Sequence, residues 1–178
     1  MKIKLLKISK NLEPFFKNLP PFSHKTKNWF YRYLSIVALI VGILFGLYAL
    51  SFWQTGHTSI IGPNTTYTQS GLPINPIYNL NIFYYINFIL LLVNTVIFIV
   101  AYFSLRSKTD NGWLTVFSGL LVYVLYGVFA LFSPIDGGLG AFIMTLIFCF
   151  IGFYILYQIK PLYTVKLKAK KVKTKKTK

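Results

Sequence analysis

Four stretches of this chain contain no Asp, Glu, Lys, Arg or His, and they decide what it can fold into. They run from Tyr33 to Trp53, Ile82 to Leu105, Trp113 to Phe132 and Leu139 to Ile159. At about 1.5 Å of rise per residue, about 20 residues of α-helix cross a hydrocarbon layer of about 30 Å. Helix is required there, because lipid offers nothing to satisfy stray backbone N–H and C=O groups. No stretch alternates polar and apolar residues, so a β-barrel does not fit. Composition agrees: 12% of residues are charged and 55% hydrophobic. A soluble domain has about a quarter charged, and a disordered chain lacks this much apolar surface. One cysteine and two histidines leave neither a disulfide scaffold nor a protein-only zinc site. The expected fold is an all-α integral membrane protein. It is an antiparallel bundle of four transmembrane helices, with a basic amphipathic N-terminal helix and a lysine-rich C-terminal tail. Short connections between the second, third and fourth spans make neighbours pair.

The 19 Lys+Arg and 3 Asp+Glu give a formal charge of +16, and its distribution orients the chain. Eight basic residues precede the first span, Arg106 and Lys108 follow the second, and nine lie from Lys160 onward. The connections 54–81 and 133–138 carry none. The positive-inside rule therefore puts both termini and the 102–112 turn in the cytoplasm and the 54–81 loop outside, at the plasma membrane of a prokaryote. Aromatic residues mark both boundaries, Trp29, Trp113 and Tyr157 at the inner and Trp53, Tyr84 and Phe132 at the outer. The organisation is then a basic leader (1–32), the spans with their external loop (33–159) and a basic tail (160–178). The segment through Ala49-Leu50-Ser51 faintly resembles a signal peptide with a cleavage site. Its leader and apolar run are too long for one, and retention as a span is expected.

Leu5, Ile8, Leu12, Phe15 and Leu19 recur at helical spacing in the leader, giving a basic amphipathic helix interrupted at Pro14 that lies on the inner leaflet. The tail holds Lys166, Lys168, Lys170, Lys171, Lys173, Lys175, Lys176 and Lys178 with no acid. Such a block stays unfolded unless an anion neutralises it. Anionic headgroups of the inner leaflet suit it at about 1 kcal/mol per lysine. RNA or a ribosome is the alternative partner, although no aromatic residue after Tyr163 offers a stacking platform.

Chemistry inside the spans is sparse. No acid, base or histidine is present to relay protons or ligate haem. Asn87 and Asn94 share a face of the second span, Tyr123 is central in the third, and Thr145 and Cys149 lie one turn apart in the fourth. These make a mid-membrane polar layer whose ordinary role is hydrogen bonding between helices. Its functional reading is a small pocket for a lipid or quinone-like ligand, with Asn94, Tyr123, Asn87 and Cys149 as contacts. Gly42 and Gly46 form the G-x-x-x-G spacing that lets helices approach closely. Asp110-Asn111-Gly112 and the Asp136 segment read as turns, and Asn64-Thr65-Thr66 is a glycosylation sequon in the outer loop. No nucleophile, phosphate-binding or zinc motif appears.

These features point to a non-catalytic protein with no cofactor and no metal, an accessory or scaffold subunit of a larger respiratory or secretory membrane complex. A small transporter, channel or lipid- or quinone-binding protein is the second reading. A ribosome-docking biogenesis factor is the third.

Overall fold

The computed structural model describes residues 2–61, 66–67, 73–74, 82–107, 110–132 and 138–175, with side chains described within 5–54, 82–107, 111–132 and 138–163. Five helices carry the structure: α1 (Lys2–Lys17), α2 (His24–Ile61), α3 (Ile82–Arg106), α4 (Asp110–Ala130) and α5 (Gly138–Lys175). Four of them contain segments long and apolar enough to cross a membrane: His24–Gln54, Ile82–Arg106, Asn111–Ala130 and Gly138–Tyr163. Between α2 and α3, β1 (Thr66–Tyr67) pairs antiparallel with β2 (Pro73–Ile74).

Helix ends differ from the sequence expectation where local chemistry extends them. Pro20 and Pro21 block helix, and Ser23 then caps the next one: its Oγ accepts Thr26 N–H at 3.1 Å, and its carbonyl accepts Lys27 N–H at 3.0 Å. The first span therefore starts nine residues before Tyr33, inside the basic leader. It also continues past Trp53 to Ile61, so the first residues expected in the outer loop are helical. Asp110-Asn111-Gly112, expected as a turn, instead forms the first turn of α4. An acid at that position suits the positive end of the helix dipole. α4 stops at Ala130 rather than Phe132. α5 does not end at Ile159 but continues through Pro161 to Lys175, so the backbone of much of the expected tail is helical. Gly138, with φ +54°, opens α5 in the left-handed region that glycine tolerates.

The helices pack in sequence order, α2 on α3, α3 on α4 and α4 on α5, while α2 meets α5 through a much smaller contact. Contacts descend one helix as they climb the next. Gly42 lies against Phe98 and Ile99, Gly46 against Thr95, and Phe52 stacks on Tyr84. On the following pair, Gly112 lies against Ser104 and Leu105 and Gly119 against Ile97 and Phe98, with Phe83 beside Phe129.

Burial is arranged as lipid demands. Asn87, Asn94 and Thr145 are buried among the helices, whereas Leu47, Ile89 and Met144 are 58%, 56% and 67% exposed. A soluble protein rarely shows contiguous apolar surface on this scale. In a bilayer that surface is solvated by acyl chains.

Helix α1 runs unbroken through Pro14, contrary to the expected interruption. The stripe expected to lie on the inner leaflet is divided: part of it packs on the protein and part stays exposed. Ser9 and Phe16 are buried and Leu5, Leu12 and Leu19 partly so, while Ile8 and Phe15 are exposed. Phe16 supplies the reason: it stacks on Tyr157 at 5.0 Å and contacts Phe153 at 6.1 Å. This packing on α5 holds the last turn against proline's missing N–H.

Candidate functional site

The mid-membrane polar layer is assembled from four helices. Asn94 is fully buried in α3. With its amide oriented by the surrounding donors and acceptors, its nitrogen donates to Gly119 O at 2.8 Å and its oxygen accepts Tyr123 N–H at 3.3 Å, both on α4. Cys149 Sγ donates to Leu120 O at 3.6 Å, tying α5 to α4. The Tyr48 and Tyr126 hydroxyls share a hydrogen bond of 3.2 Å between α2 and α4. Tyr123 stacks on Tyr126 at 5.4 Å and meets Phe45 edge-on at 4.7 Å. Asn87 is buried two turns toward the N-terminus on the same face of α3. Asn94 and Tyr123, named together from sequence, are therefore brought together. The bonds of Asn94 and Cys149 run to helix backbone.

Gly42 and Gly46 sit where sequence spacing put them, at the α2–α3 contact, with a Cβ on Gly42 falling 3.2 Å from Ile99 N. The same role at Gly112, Gly119, Gly127 and Gly152 was not legible, because none of them forms a G-x-x-x-G pair. Gly127 receives Thr145 and Gly152 receives Leu120, each at 2.8 Å from an ideal Cβ. The side chains of Lys166, Lys168, Lys170, Lys171, Lys173 and Lys175, and residues Lys176 and Lys178, lie outside the described residues, as do Asn64 and Asp136.

A second constellation was missed. It lies where α1 docks against residues 153–160 of α5. Lys160 Nζ donates to Glu13 Oε2 at 2.5 Å and to Ser9 Oγ at 3.4 Å. The same ammonium stands 5.1 Å from the Trp113 ring centroid and 5.4 Å from that of Tyr157, cation–π distances. Tyr157 donates to Ser9 O at 2.7 Å and Trp113 Nε1 donates to Leu156 O at 2.8 Å. Lys17 reaches the other Glu13 oxygen at 3.4 Å. The connector is held too, since Tyr154 donates to Pro20 O at 2.5 Å and Phe22 N–H to Gln158 Oε1 at 3.3 Å. One signal in the sequence could have found this clasp: Glu13 is the only glutamate, set among lysines.

The Lys160 hydrogen bond holds the Glu13 carboxyl below its ordinary value of 4.5; burial opposes this, and Lys17 reinforces it. A depressed acid stabilises the docked state above its undocked pKa and loses that contribution as pH falls through the docked value. Docking of α1 is therefore expected to be constant through neutral pH and to weaken below pH 4.5. Hydrogen exchange of the α1 amides across a pH series, corrected for intrinsic rates, checks this. Faster corrected exchange at pH 7 than at pH 4 would contradict it.

Two cavities flank this region. One of about 220 Å³ is lined by Glu13, Lys17, Lys27, Gln158 and Lys160 among others. The other, of about 360 Å³, lies between α2 and α5 and is almost wholly apolar. No group of three or more His, Cys, Asp or Glu able to hold a metal occurs among the described residues. Compared with known proteins, the chain matches no family model, no curated protein and no solved structure.

Proposed function

We propose that this chain is a non-catalytic integral membrane protein, an accessory or scaffold subunit of a larger membrane assembly. In this reading its four spans form an antiparallel bundle in a prokaryotic plasma membrane, with both termini cytoplasmic. The observation that carries it is the destination of the polar groups. Asn94, Cys149 and Trp113 direct their hydrogen bonds to backbone carbonyls of neighbouring helices, and Tyr84 lies within hydrogen-bond distance of Phe52 O and Trp53 O, both at 3.3 Å. Groups used in this way set helix positions and provide no nucleophile or proton relay. Exposed apolar helix faces, such as those carrying Leu47, Ile89 and Met144, and basic termini suit docking to partner subunits and to anionic headgroups.

Solubilisation in mild detergent tests it. Co-purification of other membrane subunits in fixed stoichiometry is the expected result, and monodisperse monomers with saturable ligand uptake would overturn it. Asn94→Leu is expected to weaken helix association by about 1 kcal/mol, the size of one hydrogen bond between membrane helices. Unfolding in mixed micelles reads the change. An unchanged unfolding midpoint with abolished ligand binding would instead favour the polar layer as a ligand pocket. The basic tail is proposed to contact anionic lipid, and ribosome sedimentation lost on deletion of 166–178 would favour RNA.

A further inference from the structure

The two cavities follow one another along the same pair of helices. Lys27, Leu34 and Val41 recur every seven residues and so share one face of α2. Leu34, Ala38 and Val41 line the apolar cavity, and Lys27 lines the polar one. On α5, Ile151, Gly152 and Ile155 line the apolar cavity and Gln158 and Lys160 the polar one. At about 1.5 Å per residue, the seven residues from Lys27 to Leu34 cover about 10 Å. The headgroup layer beside the hydrocarbon is about 5–8 Å deep on each side, so a headgroup near Lys27 with its acyl chain near Leu34 spans that layer.

We propose that the inner end of the α2–α5 cleft binds one anionic phospholipid of the cytoplasmic leaflet, with an acyl chain in the apolar cavity and the phosphate beside Lys27 and Gln158. Charge complementarity selects the headgroup. Three lysines (Lys17, Lys27 and Lys160) face one glutamate in the polar cavity, a surplus of two positive charges. Glu13 takes up Lys160 and Lys17, whereas no acid among the described residues pairs with Lys27. Gln158 accepts Phe22 N–H through its oxygen, so the group it presents to a ligand is its NH₂ donor. Access is lateral: the α2–α5 contact is small and includes the Tyr31 and Tyr163 rings, 4.9 Å apart. Val37 and Ile151 at the cleft edge are 38% and 52% exposed, which leaves an entry from the bilayer. The site is distinct from the mid-membrane layer and from the tail lysines, and goes beyond the scaffold role.

The test counts lipids retained by the full-length protein in neutral detergent, by native mass spectrometry, with dioleoyl phosphatidylglycerol or dioleoyl phosphatidylcholine added. Wild type is expected to retain one phosphatidylglycerol in preference to phosphatidylcholine. Lys27→Gln is expected to lower that retention about fivefold, the equivalent of about 1 kcal/mol for one lysine at a headgroup. Lys27→Arg keeps it, and Lys25→Gln, exposed on the same helix, leaves it unchanged. Val37→Trp fills the cleft and removes the retained lipid; Ile151→Trp does so from the opposite wall, should the first variant fail to fold. Equal retention of both lipids overturns the proposal. So does indifference to Lys27→Gln, or displacement of phosphatidylglycerol by inorganic phosphate at matched concentration, which would mark a free-phosphate site.

Discussion

Gly112→Ala is expected to give the largest loss of stability of any single methyl added to this protein. An ideal Cβ there stands 2.7 Å from Leu105 N and from both Ser104 C and O. These are backbone atoms, so no rotamer change relieves the overlap, and α3 and α4 must separate at their connection. Overpacking costs about 1–3 kcal/mol, and the rigid neighbours put this site at the upper end, about 3 kcal/mol. Alanine's better helix propensity returns at most about 1 kcal/mol. Gly140→Ala is the control, since nothing lies within 4 Å of its Cβ. Unfolding in mixed micelles should show a large drop for the first and none for the second. Equal stability of the two variants would mean that α3 and α4 do not approach at Gly112.

The second large effect is expected from Glu13→Lys. It sets a third cation beside Lys17 and Lys160 where the wild type has an anion 2.5 Å from Lys160. Two unit charges at about 4 Å interact by about 4 kcal/mol at an effective dielectric of 20. Partial exposure of both partners lowers this to about 3 kcal/mol, on the order of a hundredfold in the opening of α1. Hydrogen exchange of the α1 amides should accelerate accordingly, with the exchange of α3 unchanged. Lys160→Glu alone should act the same way, and the double reversal should restore protection. A double reversal no better than either single variant would show that α1 is held without the ion pair, by the Phe16 stack and the Tyr157–Ser9 hydrogen bond.

The existence and approximate positions of four segments able to cross a membrane could be read from the chain because lipid imposes a one-dimensional rule: about 20 uncharged residues per crossing. The glycine pair at Gly42 and Gly46 was legible for a similar reason, since close approach needs small residues one turn apart. Helix ends were less legible. Asp110-Asn111-Gly112 has turn chemistry and helix-start chemistry at once, and only its packing against α3 decides between them. The stripe of α1 illustrates the same limit. Leu5, Ile8, Leu12, Phe15 and Leu19 fit a helical face as well as Leu5, Ser9, Leu12, Phe16 and Leu19 do. The choice depends on which face finds Tyr157 and Lys160, and those residues are more than 140 positions away.

Four lengths of helix suited to lipid, and the places where positive charge gathers, are written in the chain itself, because hydropathy and charge are local properties summed along it. That Asn94 closes on Gly119 rather than facing a cavity, and that Glu13 meets Lys160, came from the packing of the helices. The same packing left an apolar cavity between the middle parts of α2 and α5. Each of these is a contact between residues distant in sequence, selected by shape and hydrogen-bond geometry after the helices have formed, and no spacing along the chain encodes it.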